Sequence, residues 1–208
     1  MQGLSEETER RGYTKPRTSG FGDRSGFTIV ELVVIMILIG LMASIAAPSF
    51  NRWSFEIESE AAQALTTIMG ARHMAVLKQH DVVLAFDTAN QRVRIHTDVN
   101  SNGTVDSGED TRLFELSESM GFGRGGAPAW GDYTRTLNMT QKQDGFPSIT
   151  FHRNGSASEE TRFYLTTQRA VQNGGFPEDA RAFDVQRATG RIECRSYSPT
   201  DGEWSMAC

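Results

Sequence analysis

The sequence predicts an α+β fold, with one long N-terminal helix packed on a small antiparallel β sandwich. Three observations predict it. An apolar run, Phe27 to Ala47, is followed by apolar residues at three- and four-residue spacing to about residue 80. From Asp81 the hydrophobic period drops to two. Runs of helix followed by runs of short strands imply α+β and not alternating α/β.

Charge and composition narrow the function classes. The 208-residue chain holds 21 Lys+Arg against 26 Asp+Glu, a formal charge of -5. That balance opposes a protein gripping nucleic acid along its whole surface, because phosphate neutralisation needs clustered cations. Hydrophobic residues make up 38%, and many of them lie in Phe27–Ala47. The polar, Gly-rich remainder predicts a loop-rich β domain rather than a large enzyme core.

Residues 1–26 are polar, with scattered Gly, Pro, Ser and Arg, and read as a leader with nothing to bury. They contain five basic and four acidic residues, so removal leaves 16 of the 21 bases and 22 of the 26 acids, a net of -6. Residues 27–47 then span about 31 Å as a helix, the thickness of a bilayer's hydrocarbon core. Basic residues before the run favour a cytoplasmic leader and an exported remainder. One charge, Glu31, interrupts the run, and a carboxylate there costs about 2.5–3.5 kcal/mol at the span's centre, less near an end. A secretory signal cut near Ser44-Ile45-Ala46, a plain anchor or a buried core helix are the competing readings. A plain anchor needs no Glu31, and 21 residues is long for a buried core helix.

Residues 48–80 continue as an amphipathic helix, with Phe50, Trp53, Ile57, Ala61, Ala64, Leu65, Ile68, Arg72, Ala75 and Val76 along one face. Pro48 is expected to kink the helix. Strands are expected at 82–86, 92–96, 112–116, 148–152, 161–167, 181–186 and 190–196. Asp87-Thr88-Ala89-Asn90, Arg153-Asn154-Gly155 and Ala188-Thr189-Gly190 are the expected turns. Residues 81–208 form the β domain.

Gly26-Phe27-Thr28-Ile29-Val30-Glu31-Leu32, an unbroken apolar helix and Pro48 together resemble the class III signal of type IV prepilins and type II secretion pseudopilins. The resemblance implies cleavage between Gly26 and Phe27 by prepilin peptidase, then N-methylation of Phe27. Glu31 lies one helical turn from the new amine, so the two charges can pair within or between subunits. By resemblance, Glu31 pairs with the N-terminus of an assembled neighbour and sets axial register. Ile149–Ser158 and Ala188–Cys194 are similar to minor pseudopilin H of type II secretion and to the T and U minor pilins of type IV pili. The implied protein is a non-enzymatic, single-pass inner-membrane subunit with its C-terminal domain in the periplasm. Its implied partners are other pseudopilins or pilins in a helical filament, prepilin peptidase and an inner-membrane assembly platform. Its role would be a structural part of the pseudopilus, or of its tip, that drives protein export. The alternative is a type IV pilus minor pilin serving pilus assembly or DNA uptake.

Residues 98–109, DVNSNGTVDSGE, satisfy D-x-[DN]-x-[DN]-G-x5-E. Asp98, Asn100, Asn102, Asp106 and Glu109 can supply side-chain oxygens to Ca2+, and Thr104 its carbonyl, with Gly103 at the sharp turn. The flanks read as strands, so the loop would mimic a calcium loop on a hairpin. A polar hairpin loop with no ion is the plainer account. Gly121, Gly123 and Gly126 match G-x-G-x-x-G, but a long loop and not a strand-to-helix turn surrounds them. The four histidines show no metal-like pairing, and no G-x-S-x-G appears. Export favours a Cys194–Cys208 disulfide, closing a loop worth about 3 kcal/mol in the chain-entropy model. The T minor pilins carry a Gly-Arg-x-Arg motif associated with DNA binding. Here Gly190-Arg191-Ile192-Glu193 places an acid at the second arginine, which opposes DNA contact by Arg191 and Arg195.

Overall fold

A computed structural model describes residues 28–46 and 52–206, with side chains at 28–42 and 54–206. The chain divides into two units, 1–50 and 51–208. In the first, helix α1 runs Ile29–Ala46. Thr28 begins it: its Oγ1 accepts the Glu31 N–H at 3.2 Å and its carbonyl accepts the Leu32 N–H at 3.2 Å, an N-cap that satisfies orphan donors. Every described side chain of this unit is exposed. Pro48 lies outside the described residues, so the predicted kink has no structural account.

In the second unit, helix α2 (Arg52–Lys78) buries Ile57, Ala61, Ala64, Ile68, Ala71 and Ala75. Their alternating four- and three-residue steps draw one stripe down the helix. Four of the six are alanines, so the backbone sits close to the sheets. The predicted apolar face is corrected at two described positions: Ala71 is buried while Arg72 is half-buried beside it, and Val76 is exposed. Gln79 ends the helix with a positive φ of 57°, and its side-chain amide donates to the Val76 carbonyl at 2.6 Å.

The strands are β1 (Asp81–Asp87), β2 (Arg92–Asp98), β3 (Thr111–Glu115), β4 (Met120–Phe122), β5 (Lys142–Gln143), β6 (Phe146–Phe151), β7 (Thr161–Thr167), β8 (Arg181–Val185), β9 (Ile192–Ser198) and β10 (Glu203–Met206). A short helix α3 (Gln168–Asn173) and a 3-10 turn (Pro177–Asp179) lie between β7 and β8. All pairings are antiparallel, in two sheets ordered β3-β2-β1-β6-β5 and β10-β9-β8-β7-β4. The seven predicted strands are present. The three others are two to four residues long, too short for a period-two pattern to show.

The core closes where the sheets face each other. Phe86 of β1 meets Phe163 of β7 at 5.1 Å between ring centroids, and Phe163 stacks on Phe183 of β8 at 4.8 Å. Such pairs add about 0.5–1.5 kcal/mol beyond area burial. Two of the three expected turns join neighbouring strands. Arg153-Asn154-Gly155 closes only a one-bridge loop, Phe151↔Ala157, and then carries the chain from the first sheet to the second.

Candidate functional site

α1 is the first candidate region. Its sequence, Ile29–Ala46, contains one charged residue, Glu31, in the first turn. Apolar side chains project on all sides of it and none of those described is covered. A helix apolar all round needs an apolar surrounding. Among the described residues, no helix is long and apolar enough to cross a membrane. Gly26 and Phe27, the predicted processing residues, lie outside the described residues.

The 98–109 loop joins β2 to β3, as a hairpin connection. Asp98 accepts backbone N–H groups from Asn102 and Gly103, at 3.2 and 2.7 Å. The side-chain oxygens of Asn100 and Asn102 accept the N–H groups of Asn102 and Thr104. Both amide nitrogens then donate to Asp106 Oδ2, at 2.8 and 2.6 Å. Glu109 accepts the Val99 and Asp106 N–H groups, both at 2.9 Å, and His96 Nε2 lies 2.6 Å from it. The Asp106 N–H and His96 hold its carboxyl down at about 2, against the opposing effect of burial.

His96 is fully buried, and its hydrogen-bond roles follow from its neighbours. Arg94 donates to Gln143 Oε1 at 3.2 Å, so the Gln143 nitrogen faces His96 Nδ1 at 2.9 Å and the Gly103 carbonyl at 3.0 Å. Nδ1 therefore accepts, and Nε2–H donates to Glu109. The ring holds Glu109 directly and Gly103 through Gln143, tying the loop to the sheet. The donor set is oxygen-only and suits a hard cation such as Ca2+. Among the described residues, however, no three His, Cys, Asp or Glu converge as a metal site. Calcium would have to displace the two Asn amides from Asp106.

The two arginines weighed for DNA both turn onto one carboxylate. Arg191 and Arg195 reach opposite oxygens of Glu193 at 3.0 and 3.4 Å. Arg195 also lies over the Trp130 ring at 4.5 Å. Cys194 is buried beside Phe183 across the β8–β9 register. Cys208 lies outside the described residues.

Sequence reasoning missed how two motif stretches meet. Arg72 Nε donates to the Gly155 and Thr189 carbonyls, each at 3.0 Å, drawing the turns 153–155 and 188–190 together on α2. His152 Nδ1 lies 3.0 Å from Asp81 Oδ2, and the Ala157 N–H donates to the Arg187 carbonyl at 2.8 Å. The glycines and polar residues of Ile149–Ser158 and Ala188–Cys194 thus build one junction between the sheets. An arginine inside an apolar stripe was the only signal for it.

The Gly-rich stretch after β3, expected as a loop, in part forms β4 over Met120–Phe122. Its Gly123 and Trp130 N–H groups donate to the Tyr164 carbonyl and hydroxyl, at 3.0 and 3.1 Å. Gly125, with φ of +57°, leaves room for Thr166, Ala170 and the Phe176 carbonyl, all within 3 Å of where a Cβ would stand. The glycines serve close packing and not dinucleotide binding. The stretch ends over Arg162, whose Cζ lies 3.4 Å from the Trp130 ring centroid and 4.7 Å from that of Tyr133. Asp184 accepts from this guanidinium at 3.0 and 2.5 Å, and burial pushes the Tyr133 hydroxyl's pKa upward.

Residues 60–189, most of α2 and the sandwich through the second turn of the junction, match the family model described as Type II transport protein GspH. The chain belongs to the GspH family. Its family is that of a type II transport protein. This GspH protein is similar to the solved minor pseudopilin EpsH from the type 2 secretion system of Vibrio cholerae. The two are 11% identical over 68% of this chain and 97% of that one, with a TM-score of 0.46. It is also similar to the type IV minor pilin FimU of Pseudomonas aeruginosa, at 16% identity over 74% and 96%, with a TM-score of 0.45. No curated protein matches it. The matched span contains Arg72, Gly155 and the 98–109 loop, whereas α1 with Glu31 lies before it and Glu193 after it.

Proposed function

We propose that this GspH protein is held in the bacterial inner membrane by residues 27–47. It docks through Glu31 into the periplasmic pseudopilus or its tip, and works there by assembly and not by catalysis. The observation that carries the reading is α1. It is apolar on every side, exposed at each described side chain, and interrupted by a single carboxylate one turn from the amine that cleavage after Gly26 would create. In lipid that carboxylate gains by meeting a cation, and the methylated Phe27 amine of a neighbouring subunit supplies one. Other pseudopilins, prepilin peptidase and an inner-membrane platform are the partners this mechanism needs.

Two features fit a periplasmic domain. A Cys194–Cys208 disulfide would pin the residues after β10 to the buried side of β9, in a compartment where disulfides persist. The 98–109 loop would hold Ca2+ through Asp98, Asn100, Asn102, Asp106, Glu109 and the Thr104 carbonyl.

The test is a deletion strain of the native host, complemented with the wild-type or Glu31→Leu chain. Proteins in the culture supernatant and the sheared surface fraction are quantified by mass spectrometry. Wild type should restore exoprotein export, while Glu31→Leu stays in the membrane fraction and restores none. Full export by Glu31→Leu would sink the docking mechanism. Loss of surface pilin with a normal secretome in the deletion strain would move the protein to a type IV pilus.

A further inference from the structure

Each sheet ends in two edges, and among the described residues β3 is the longest of the four edge strands. β5 has two residues, β4 has three with α3 packed against it, and β10 has four. β3 has five, contains no Pro or Gly, and has no residue of positive φ. Natural sheets blunt or cover such edges because their unpaired N–H and C=O groups template another strand. On β3 the direction of these groups follows from the register. The Thr97 N–H donates to the Asp110 carbonyl and the Leu116 N–H to the Gln91 carbonyl, both at 2.9 Å. In an antiparallel ladder bonded residues alternate, so 110, 112, 114 and 116 face β2. Thr111, Leu113 and Glu115 therefore turn their backbone groups outward.

A groove runs beside the same edge. Ser59, Ala62, Gln63 and Thr66 of α2 form one wall, uncharged and exposed, and Phe114 of β3 forms the other. The sheet stops one strand short of covering this strip. Leu113 stands 55% exposed on the opposite face of β3.

We propose that β3 accepts an extended strand from another subunit of the filament, extending the first sheet over α2. Only the partner's origin rests on the assembly reading; the open edge does not. The edge states the partner's chemistry. It must be extended main chain, because three outward residues offer alternating donors and acceptors. Its groove-facing side chains must include an apolar residue beside Phe114 and an acid that shares Arg112, whose side chain is mostly exposed and meets Asp110 at 3.3 Å. A second copy pairing edge to edge does not fit. The side chains of its own β3 on that face are Arg112, which is charged, and Phe114, which is already packed on its own core.

The test places a photo-cross-linking amino acid at Thr111 or Glu115 of the full chain in the native host. Cross-linked peptides are then mapped by mass spectrometry. The expected result is attachment from both positions to one segment of one other filament subunit, at sites about four residues apart as a paired strand requires. Leu113→Pro removes an N–H that β2 does not use, so the domain's own sheet keeps its bonds. It should cut the cross-link yield about tenfold or more, and Arg112→Glu should lower it without touching a buried group. Cross-links to a second copy, or to scattered sites, would overturn the proposal. So would none from a chain that still co-fractionates with the filament, an outcome that leaves the Glu31 mechanism standing.

Discussion

Gly190 stands so close to Gly155 that a Cβ on it would lie 2.2 Å from the Gly155 carbonyl oxygen. Both glycines have positive φ, +61° and +82°, and Arg72 bonds the carbonyls of Gly155 and Thr189 together. A side chain at Gly190 meets backbone, which cannot move without opening the junction. Gly190→Ala should therefore cost about 3 kcal/mol, roughly 6–12 °C in melting temperature for a domain of this size. Gly155→Ala should cost about 1 kcal/mol, because its neighbours at 3.3 Å are the movable ends of Arg72 and Val76. Thermal melts of both variants check the order, and equal losses would refute it.

The contrast shows which features the sequence made legible. Period and composition carried the two long helices and the strands of five to seven residues, because burial on one face leaves a repeating trace. The Glu31 position was legible because a lone charge in an apolar run has no structural excuse. The Arg72 junction was not, since its partners are carbonyls 83 and 117 residues away and any residue supplies a carbonyl. The Arg162 stack on Trp130 and Tyr133 was hidden for the same reason: its members come from a loop and a strand with no common spacing. Order in the Gly-rich stretch was missed because glycines signal freedom locally but close approach in a packed context.

Acid should loosen the β1–β2 turn through Asp87. The side-chain amide of Asn90 at 2.7 Å is the chief group holding its carboxyl below the ordinary value of 3.8, helped by the Asn90 N–H and by Arg92. Burial opposes them without prevailing. A folded pKa below the unfolded one contributes stability that is whole above the unfolded value and is lost as pH falls through the folded one. Asp87→Asn should thus melt below wild type at neutral pH, with the gap closing as the solution is acidified below 3.8. A gap of constant size into strong acid would show that the carboxylate's charge contributes nothing.

Glu193 sets how much positive charge β9 shows. It takes both Arg191 and Arg195, so Arg191→Ala should leave nucleic-acid binding by the purified full chain at the wild-type level. Glu193→Gln frees two guanidiniums. If each reaches a phosphate, the slope of log affinity against log salt should steepen by about 0.9 per contact. Gel-shift titrations at several salt concentrations measure this. Strong wild-type binding abolished by Arg191→Ala would mean that Glu193 does not neutralise the pair.

Calcium should raise the melting temperature of the full chain, and the size of the rise is constrained by what the loop must give up. Asp98 and Glu109 are already oriented by backbone N–H groups, so part of the ordering cost is met before the ion arrives. Against this, the amides of Asn100 and Asn102 must leave Asp106 Oδ2, and neither Asn adds the negative charge an Asp would. Affinity should therefore fall in the weak, extracellular class, on the order of 10⁻⁴–10⁻³ M. At a hundredfold excess over Kd the stabilisation would be about 2.7 kcal/mol, equivalent to roughly 5–10 °C here. Glu109→Gln should abolish the response while keeping side-chain oxygen for the Val99 N–H. A wild-type melting temperature unmoved by calcium would leave 98–109 as a polar hairpin loop, held by its own hydrogen bonds and by His96 and Gln143.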